Sequence, residues 1–203
     1  MQEIAQEMEQ IESYERIMPL VGGKISVIIH DIPLDYADLL FDDIYREAKR
    51  LEKIFNLYDP GSSLSMLNRD RSRRMPREFI EVIESALSYC RLTDGAFDIS
   101  RGNNFLERKS CRPLSELGCS YRDIVVCKDK VCITHKDVLI DLGAIAKGYI
   151  GDKLADFMKN QGIESGFIDM GGDLIAFGRH GQSVMIRHPR NQQELGQPFI
   201  LKD

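Results

Sequence analysis

The chain has 203 residues and a mass of 23.2 kDa; 43% of its residues are hydrophobic, 29% are charged, and it contains no tryptophan. This composition is typical of a folded globular protein and excludes collagenous, low-complexity and intrinsically disordered classes. A formal net charge of −5 gives no reason to expect nucleic acid as the main partner. A chain of this length buries about 70% of its extended surface, so it needs no structural metal or disulfide to hold a core.

The N-terminal segment does not resemble an export signal. It reads MQEIAQEMEQIESYER, which is acidic where a secretory signal needs basic residues followed by an apolar run. No run of 18 apolar residues occurs, so we expect no membrane span and a cytoplasmic protein. The helical spacing of Ile4, Met8 and Ile11 predicts an amphipathic arm over residues 1–16, followed by one domain over 17–203.

The cysteines indicate reduced thiols, because their number is odd and no export signal precedes them. Cys127 and Cys132 could face each other across a hairpin, but no metal-binding or Cys-x-x-Cys spacing is present. Small buried side chains are the preferred interpretation over a metal or redox site. The five are Cys90, Cys111, Cys119, Cys127 and Cys132.

The first half of the chain predicts one strand and two helices. Residues 24–31 are rich in β-branched side chains and predict a strand. Pro33 and Asp35 then open a helix with apolar residues at spacings of three and four, which stops before the Asp59-Pro60-Gly61 turn. A second helix is predicted over 77–92.

Shorter elements dominate the second half. Residues 123–127, 131–134 and 138–142 are β-rich runs separated by polar turns and predict a β-meander. A helix over 144–160 and strands over 166–170, 174–178 and 183–188 follow. Helices mixed with antiparallel hairpins indicate an α+β fold.

Arginines are concentrated between residues 69 and 77, in the run RDRSRRMPR. Such a run can form a nucleic-acid patch, but it has no interleaved aromatic residues and belongs to an acidic chain. We therefore expect a solvated loop.

Two segments combine turn residues with side chains suited to a flat or anionic ligand. In NLYDPGSSLSMLN (56–68), Tyr58 could stack on a flat ring, and the hydroxyls of Ser62, Ser63 and Ser65 could donate to a phosphate. The plainer alternative is a helix-ending turn in which Ser63 caps the segment after it. In TDGAFDIS (93–100), small residues leave room for a ligand next to an aromatic side chain and a hydrogen-bond acceptor. Taken alone, the segment indicates only the end of a helix.

The segment IDLGAIAKGYIGDKL (140–154) is the most informative. It predicts a strand that ends at Asp141 and a helix that begins at a turn of small residues. Free N–H groups at such a helix start form an anion site, to which Lys147 can add a charge. No Walker A or G-x-G-x-x-G pattern is present.

A fourth segment, FIDMGGDLIAFG (167–178), predicts a strand-turn-strand. Its glycines, Gly171 and Gly172, would allow a ligand or another backbone to approach between Asp169 and Asp173. A plain glycine hairpin is the open alternative.

In this order and spacing, the four segments resemble the ApbE family, the FAD:protein FMN transferases, over nearly the whole chain from about Ile17. The resemblance implies an α+β, T-fold-like architecture of antiparallel strands and helices, with FAD in a cleft between subdomains. It also implies a Mg²⁺-dependent transfer of FMN from FAD to a Thr hydroxyl of a flavoprotein subunit. Some members instead hydrolyse FAD to FMN and AMP.

The resemblance also implies site residues, although it assigns no catalytic residue here. Tyr58 would lie against the isoalloxazine, and residues 96–98 would line the flavin or adenosine pocket. The backbone carbonyl of Ala144 would be a Mg²⁺ ligand. The six implied FAD contacts are Tyr58, Ala96, Phe97, Asp98, Asp141 and Lys147.

The chain departs from the family pattern in three places. Val21-Gly22-Gly23 replaces Met-Gly-Thr, and Asp169 stands where Asn is usual. The family continues through Thr-Ser-Gly, His-Ile-x-Asp-Pro and Ala-Asp-x-x-x-Thr segments that supply the base and the side-chain Mg²⁺ ligands, whereas this chain ends at Asp203. We therefore expect an FMN transferase with an incomplete C-terminal part; the alternatives are an FAD-binding module or remnant without catalysis, or an FAD pyrophosphatase.

Overall fold

The structure is a computed structural model, and it describes residues 12–20, 23–191 and 195–202. It divides into two compact units: one takes the residues up to Glu47 and those from Gly151 onward, and the other takes Ala48–Ile150. The apolar positions of the predicted arm, Ile4, Met8 and Ile11, lie outside the described residues, as do Val21 and Gly22. Within the described residues, no helix is both long enough and apolar enough to cross a membrane.

The described residues form five α-helices and nine strands. The helices are α1 (Leu34–Phe55), α2 (Ser63–Asp70), α3 (Arg77–Leu92), α4 (Gly102–Lys109) and α5 (Gly143–Asn160). The strands are β1 (Ser13–Leu20), β2 (Gly23–His30), β3 (Ser72–Arg74), β4 (Ile124–Cys127), β5 (Lys130–Ile133), β6 (Gly166–Asp169), β7 (Leu174–Phe177), β8 (Gln182–Arg187) and β9 (Leu195–Leu201).

The first unit is built on an antiparallel sheet with the order β1-β2-β6-β7. The alternating residues Ile25, Val27 and Ile29 of β2 are buried, as expected of a strand with one face in a core. β1 begins at Ser13, inside the segment that the sequence predicts as an arm. The β8–β9 hairpin forms a separate two-stranded sheet.

The second unit combines α2, α3 and α4 with a small sheet of order β3-β5-β4. The apolar stripe of α3 is buried as its spacing predicts, with Phe79, Ile83 and Ala86 inaccessible to solvent. The helices predicted from Pro33, over 77–92 and over 144–160 are confirmed, and so are the strands predicted near 24–31, 166–170, 174–178 and 183–188. The α+β fold is therefore confirmed.

The predicted meander is wrong in its third strand. Residues 138–142 form only an isolated parallel bridge, between Leu139 and Arg101. The position beside β5 is taken instead by β3, from the arginine-rich run. The run is therefore not a loop, because it contains the end of α2 and all of β3. One of its arginines is held within the fold, because Arg71 donates to the carbonyl oxygen of Val138 at 2.7 Å, whereas Arg69, Arg74 and Arg77 stay mostly exposed to solvent.

The cysteines are free, as expected, but Cys127 and Cys132 do not face each other. In the register of the hairpin, Cys132 lies opposite Val125 and Cys127 lies opposite Lys130. The preference for small buried side chains holds for Cys90 and Cys119, whereas Cys111 and Cys127 are exposed and Cys132 is half-buried.

Candidate functional site

Helix α4, which the sequence analysis does not predict, borders three of the four segments singled out there. At its start, a side chain on Gly102 would meet the Asp141 Cβ at 3.2 Å and the Leu139 carbonyl oxygen at 2.7 Å. At its end, Lys109 Nζ donates to the Tyr58 hydroxyl at 3.0 Å and lies 4.4 Å from the centre of the Tyr58 ring. The short helix thus brings Tyr58 and Asp141 to its two ends.

One side of α4 forms the wall of an open cavity of about 620 Å³. Two of the predicted site residues, Ala96 and Asp98, line it, and so does a loop over residues 114–117. Its volume is within the range of about 300–1,000 Å³ that is usual for small-molecule sites. The α4 side contributes Arg101, Asn104, Phe105 and Arg108.

The loop over residues 114–117 is joined to α4 by hydrogen bonds at Ser115. Glu107 accepts from the Ser115 hydroxyl at 2.5 Å and from the Ser115 amide at 2.9 Å. Asn104 donates to the Ser115 carbonyl oxygen at 2.9 Å. The bonds from Ser115, and a further one from Asn104, hold the pKa of Glu107 below its ordinary value. The loop is therefore positioned without a ligand.

The charge of the cavity favours an anion. Arg108 is exposed, and within the described residues its guanidinium makes no ion pair or hydrogen bond. Arg101 forms a long ion pair with Asp98, in which Nε lies 3.6 Å from Oδ2. Its side chain is still 45% exposed. Two guanidinium groups beside one cavity suit a phosphate or pyrophosphate group.

Asp98 organises the loop that carries it. Its Oδ1 accepts from the Ser100 amide at 2.9 Å and the Ser100 hydroxyl at 2.7 Å, and its Oδ2 accepts from the Tyr121 amide at 3.3 Å. The side chain is only 5% exposed. A direct contact with FAD stays a prediction, since both oxygens of this carboxylate already accept hydrogen bonds from the protein itself. Phe97 is half-buried and does not line the cavity.

Just before the start of α5, the Asp141 side chain binds the first amide of the helix. Its Oδ1 accepts from the Gly143 amide at 2.8 Å, so part of the predicted anion site is already occupied by a carboxylate. Ala144 is exposed as the second residue of the helix, and Lys147 lies half-buried one turn further on.

These residues do not complete a Mg²⁺ site. Mg²⁺ requires a near-octahedral set of oxygen ligands. The Ala144 carbonyl would supply one, but the described residues contain no cluster of three His, Cys, Asp or Glu side chains suited to a metal. Any Mg²⁺ bound here would need further ligands from the nucleotide or from other polypeptide.

The hydroxyls of the first segment are engaged in its own turn. Ser62, rather than Ser63, caps α2 and accepts from the Ser65 amide at 3.0 Å. The Ser65 hydroxyl donates to the Leu57 carbonyl oxygen at 3.0 Å. Tyr58 is therefore the more available group of this segment, with 58% of its surface exposed.

In the other unit, the fourth segment forms the glycine hairpin between β6 and β7. Asp169 Oδ1 accepts from the Gly172 amide at 2.7 Å, and Gly171 and Gly172 have φ values of +77° and +107°. Such backbone conformations favour glycine, so the turn itself explains the pair.

The α4 residues of the cavity are not among the predicted site residues, although the sequence contains a signal for them. Arg101, Asn104, Phe105 and Arg108 recur at spacings of three, one and three, which is the pattern of one helix face. The run is short and polar, with little apolar content to mark it as a helix.

Comparisons with known proteins agree with one family. A model described as the ApbE family matches residues 21–202. A protein named FAD:protein FMN transferase from Klebsiella pneumoniae (strain 342) is 22% identical over 83% of this chain and 57% of its own length. One of the same name from Treponema pallidum (strain Nichols) is 22% identical over 83% of this chain and 53% of its own length. This chain thus spans little more than half the length of these relatives.

Solved structures agree on the fold. The flavin transferase ApbE from Vibrio cholerae superposes with a TM-score of 0.79 at 19% identity, covering 94% of this chain and 68% of its own. The ApbE protein from Thermotoga maritima MSB8 gives the same TM-score and coverage at 21% identity. At these identities the likeness establishes the architecture. Since the family model matches most of the chain from residue 21 onward, this chain belongs to the ApbE family.

Proposed function

We propose that this chain binds FAD and transfers its FMN moiety to a Thr hydroxyl of a flavoprotein subunit. The observation that carries the proposal is the arginine-lined cavity, which is bounded by Ala96 and Asp98 in a chain of the ApbE family. The relatives named FAD:protein FMN transferase support the reaction. Because this chain spans little more than half of their length, the activity of the whole protein is part of the proposal.

The transfer is a phosphoryl-type substitution. The Thr oxygen forms a bond to the phosphorus of the FMN half, and the bond from that phosphorus to the bridging oxygen breaks. AMP leaves with the electron pair, and the hydroxyl proton passes to solvent or to a base. Charge neutralisation and positioning dominate such reactions, and the guanidinium groups of Arg101 and Arg108 are suited to both roles.

Dependence on Mg²⁺ is a further part of the proposal and rests on the family resemblance. A bound Mg²⁺ would neutralise the pyrophosphate. The described residues supply only the Ala144 carbonyl toward it, so we assign no step of the reaction to the metal.

The direct test is an incubation of the purified chain with FAD, Mg²⁺ and a flavoprotein acceptor. We expect flavin fluorescence that stays with the acceptor after denaturing electrophoresis, and none when the acceptor Thr is replaced by Val. Addition of EDTA should abolish the labelling if Mg²⁺ is required. Absence of label from an acceptor that one of the named FAD:protein FMN transferases does label would contradict the transferase proposal.

A second candidate is an FAD-binding module without transfer. It is favoured by the absence of a metal-ligand cluster within the part of the chain that the structure describes. This candidate predicts FAD binding with neither labelled acceptor nor AMP. Release of AMP and FMN without label would instead indicate an FAD pyrophosphatase.

A further inference from the structure

We propose that another cavity, of about 530 Å³, binds a small organic anion, namely a carboxylate or a phosphate monoester that carries an apolar group. None of the residues that line this cavity belongs to the cavity beside α4 or to the predicted FAD contacts. The inference is therefore independent of the proposed function. The lining residues are Leu87, Arg91, Asp94, Tyr121, Arg122 and Ile124.

The cavity lies between two parts of the second unit. Leu87 and Arg91 are four residues apart on α3, which places them on one face of the helix, and Asp94 follows just after the helix ends. The other lining residues come from a 3₁₀ turn over Tyr121–Asp123 and from the first residue of β4. The volume is within the range of about 300–1,000 Å³ that is usual for small-molecule sites.

Arg91 supplies a positive charge to this cavity. The residue is exposed, and within the described residues its guanidinium makes no ion pair or hydrogen bond. An anion can therefore bind to Arg91 without breaking an existing contact. Such a guanidinium forms bidentate, charge-assisted hydrogen bonds to the oxygens of a carboxylate or a phosphate.

Arg122 adds a second guanidinium, and its ion pair with Asp94 is weak. Its Nη2 lies 3.7 Å from Asp94 Oδ1, and the two side chains are 66% and 96% exposed. Because an ion pair so exposed contributes little to stability, the anion of a ligand can replace Asp94 at small cost. The Arg122 guanidinium also lies 4.7 Å from the centre of the Tyr121 ring, and this cation–π contact holds the charge beside a residue that lines the cavity.

The apolar part of the lining favours an organic anion over an inorganic one. Leu87, Tyr121 and Ile124 belong to the core, with at most 7% of their surfaces exposed. An apolar group of a ligand that contacts them removes the remaining apolar surface from water, and the gain in binding is roughly proportional to the area covered. Inorganic phosphate could bind the guanidinium groups but would leave this surface in contact with water.

The turn that carries Tyr121 and Arg122 is fixed before any ligand binds. The Ser120 hydroxyl accepts from the Arg122 amide at 3.3 Å, and the Asp123 carboxylate accepts from the Ser120 amide at 2.9 Å. The Tyr121 amide donates to Asp98 Oδ2 at 3.3 Å. Binding would therefore order little further chain, which limits its entropic cost.

The test is an NMR titration of the intact, isotope-labelled chain with phenylacetate and with phenyl phosphate, which distinguish the two kinds of anion. Inorganic phosphate, which has no apolar group, and benzyl alcohol, which has no charge, are the comparison probes. We expect at least one of the aromatic anions to shift the amide signals of residues 121–124. It should bind about tenfold or more tightly than either comparison probe.

Substitution of either arginine should weaken the binding of that aromatic anion. We expect a loss of about tenfold in Arg91→Gln and in Arg122→Gln, because each removes a charge-assisted contact. Both residues are exposed, so the melting temperatures of the variants should match that of the wild type. Arg74→Gln is the matched control and should leave the affinity within about twofold of wild type, because Arg74 pairs with Asp129 and lines neither cavity.

Three results would overturn the inference. The first is that neither aromatic anion binds, or that signals shift only around α4, which would place the anion in the other cavity. The second is wild-type affinity in both Arg91→Gln and Arg122→Gln. The third is that inorganic phosphate binds as tightly as phenyl phosphate, because the ligand class would then be wrong. None of these results bears on the proposed function, which FAD titration of the same chain tests separately.

Discussion

The side-chain amide of Asn68 pairs with both backbone polar groups of Ile140. Its Nδ2 donates to the Ile140 carbonyl oxygen at 2.9 Å, and its Oδ1 accepts from the Ile140 amide at 2.8 Å. The Asn68 amide thus forms the pair of backbone hydrogen bonds to Ile140 that a neighbouring β-strand would otherwise form. It also joins the end of the first family-like segment to the residue before Asp141.

We expect Asn68→Ala to reduce the free energy of unfolding by about 1–3 kcal/mol, because it removes both partners of a backbone unit. Asn103→Ala is the control, since Asn103 makes a single bond, to the Asp137 carbonyl oxygen, and should cost about 1 kcal/mol or less. Urea unfolding measures both. Equal losses in the two variants would contradict a special role of the Asn68 pair.

A methyl group at Gly102 should displace Asp141. The Gly102→Ala side chain would lie 2.7 Å from the Leu139 carbonyl oxygen, so α4 or residues 139–141 must move. We expect a loss of about 1–3 kcal/mol in unfolding free energy and weaker FAD binding.

Gly148→Ala provides the matched comparison for Gly102→Ala. Gly148 lies in α5, and a side chain there meets nothing within 4 Å. Replacing a helical glycine by alanine should stabilise by about 0.5–1 kcal/mol. A stabilising effect at Gly102 as well would show that the contact with Leu139 is not tight.

Asp98→Ala should lower stability and FAD affinity together, because the carboxylate holds its own loop rather than standing free for a ligand. Removing an acceptor that serves the Ser100 and Tyr121 amides should cost about 1–3 kcal/mol. Thermal unfolding and FAD titration measure the two effects. A variant that keeps the wild-type melting temperature but loses FAD would assign Asp98 to direct ligand contact.

We expect a pair of histidines to lower the stability of the folded chain at acidic pH. His30 is buried, its Nδ1 lies 2.7 Å from the Ser13 hydroxyl, and its ring centre lies 4.9 Å from that of His180. Burial, and then the nearby His180, lower the pKa of His30 below 6.5, although Asp31 opposes this. The unfolded chain therefore takes up the proton more readily, and stability falls as the pH drops below 6.5.

The measurement is the change in melting temperature between about pH 7.5 and about pH 5.5, in the wild type and in His30→Gln. We expect a smaller change in the variant. Asp31 does not interfere in this range: burial alone would raise its pKa, but hydrogen bonds from His180 and Arg179 outweigh it and lower the pKa below 3.8. Parallel pH profiles for the two proteins would refute the role of His30.

Sequence reasoning places the elements with a long periodic pattern most accurately. Helix α3 begins and ends where its spacing predicts, because its apolar stripe fills the core of its unit. Residues 138–142 have an equally β-like composition, but the Asn68 side chain satisfies Ile140, and β3 takes the place beside β5. Hydrogen bonds from a side chain that is distant in the sequence leave no signal in the local sequence.

The cavity was harder to anticipate for a related reason. The motif resemblance predicts Ala96 and Asp98 as site residues, and both line the cavity, whereas Arg108 belongs to a short polar helix whose face is defined only by what it lines. The anion site expected at α5 is partly filled by the Asp141 cap, while exposed arginine charge lies on α4. The sequence therefore predicts anion binding at the start of α5, and the prediction does not include the arginines of α4.

The β8–β9 hairpin should unfold locally more readily than the four-stranded sheet. β2 is hydrogen-bonded on both sides, to β1 and β6, whereas β8 and β9 bond only to each other among the described strands, and Ile186 and Ile200 are largely exposed. A lone hairpin is marginal in water. Its amide protons should therefore exchange with deuterium long before those of β2. A melting curve will report the four-stranded sheet and miss the earlier opening of the hairpin.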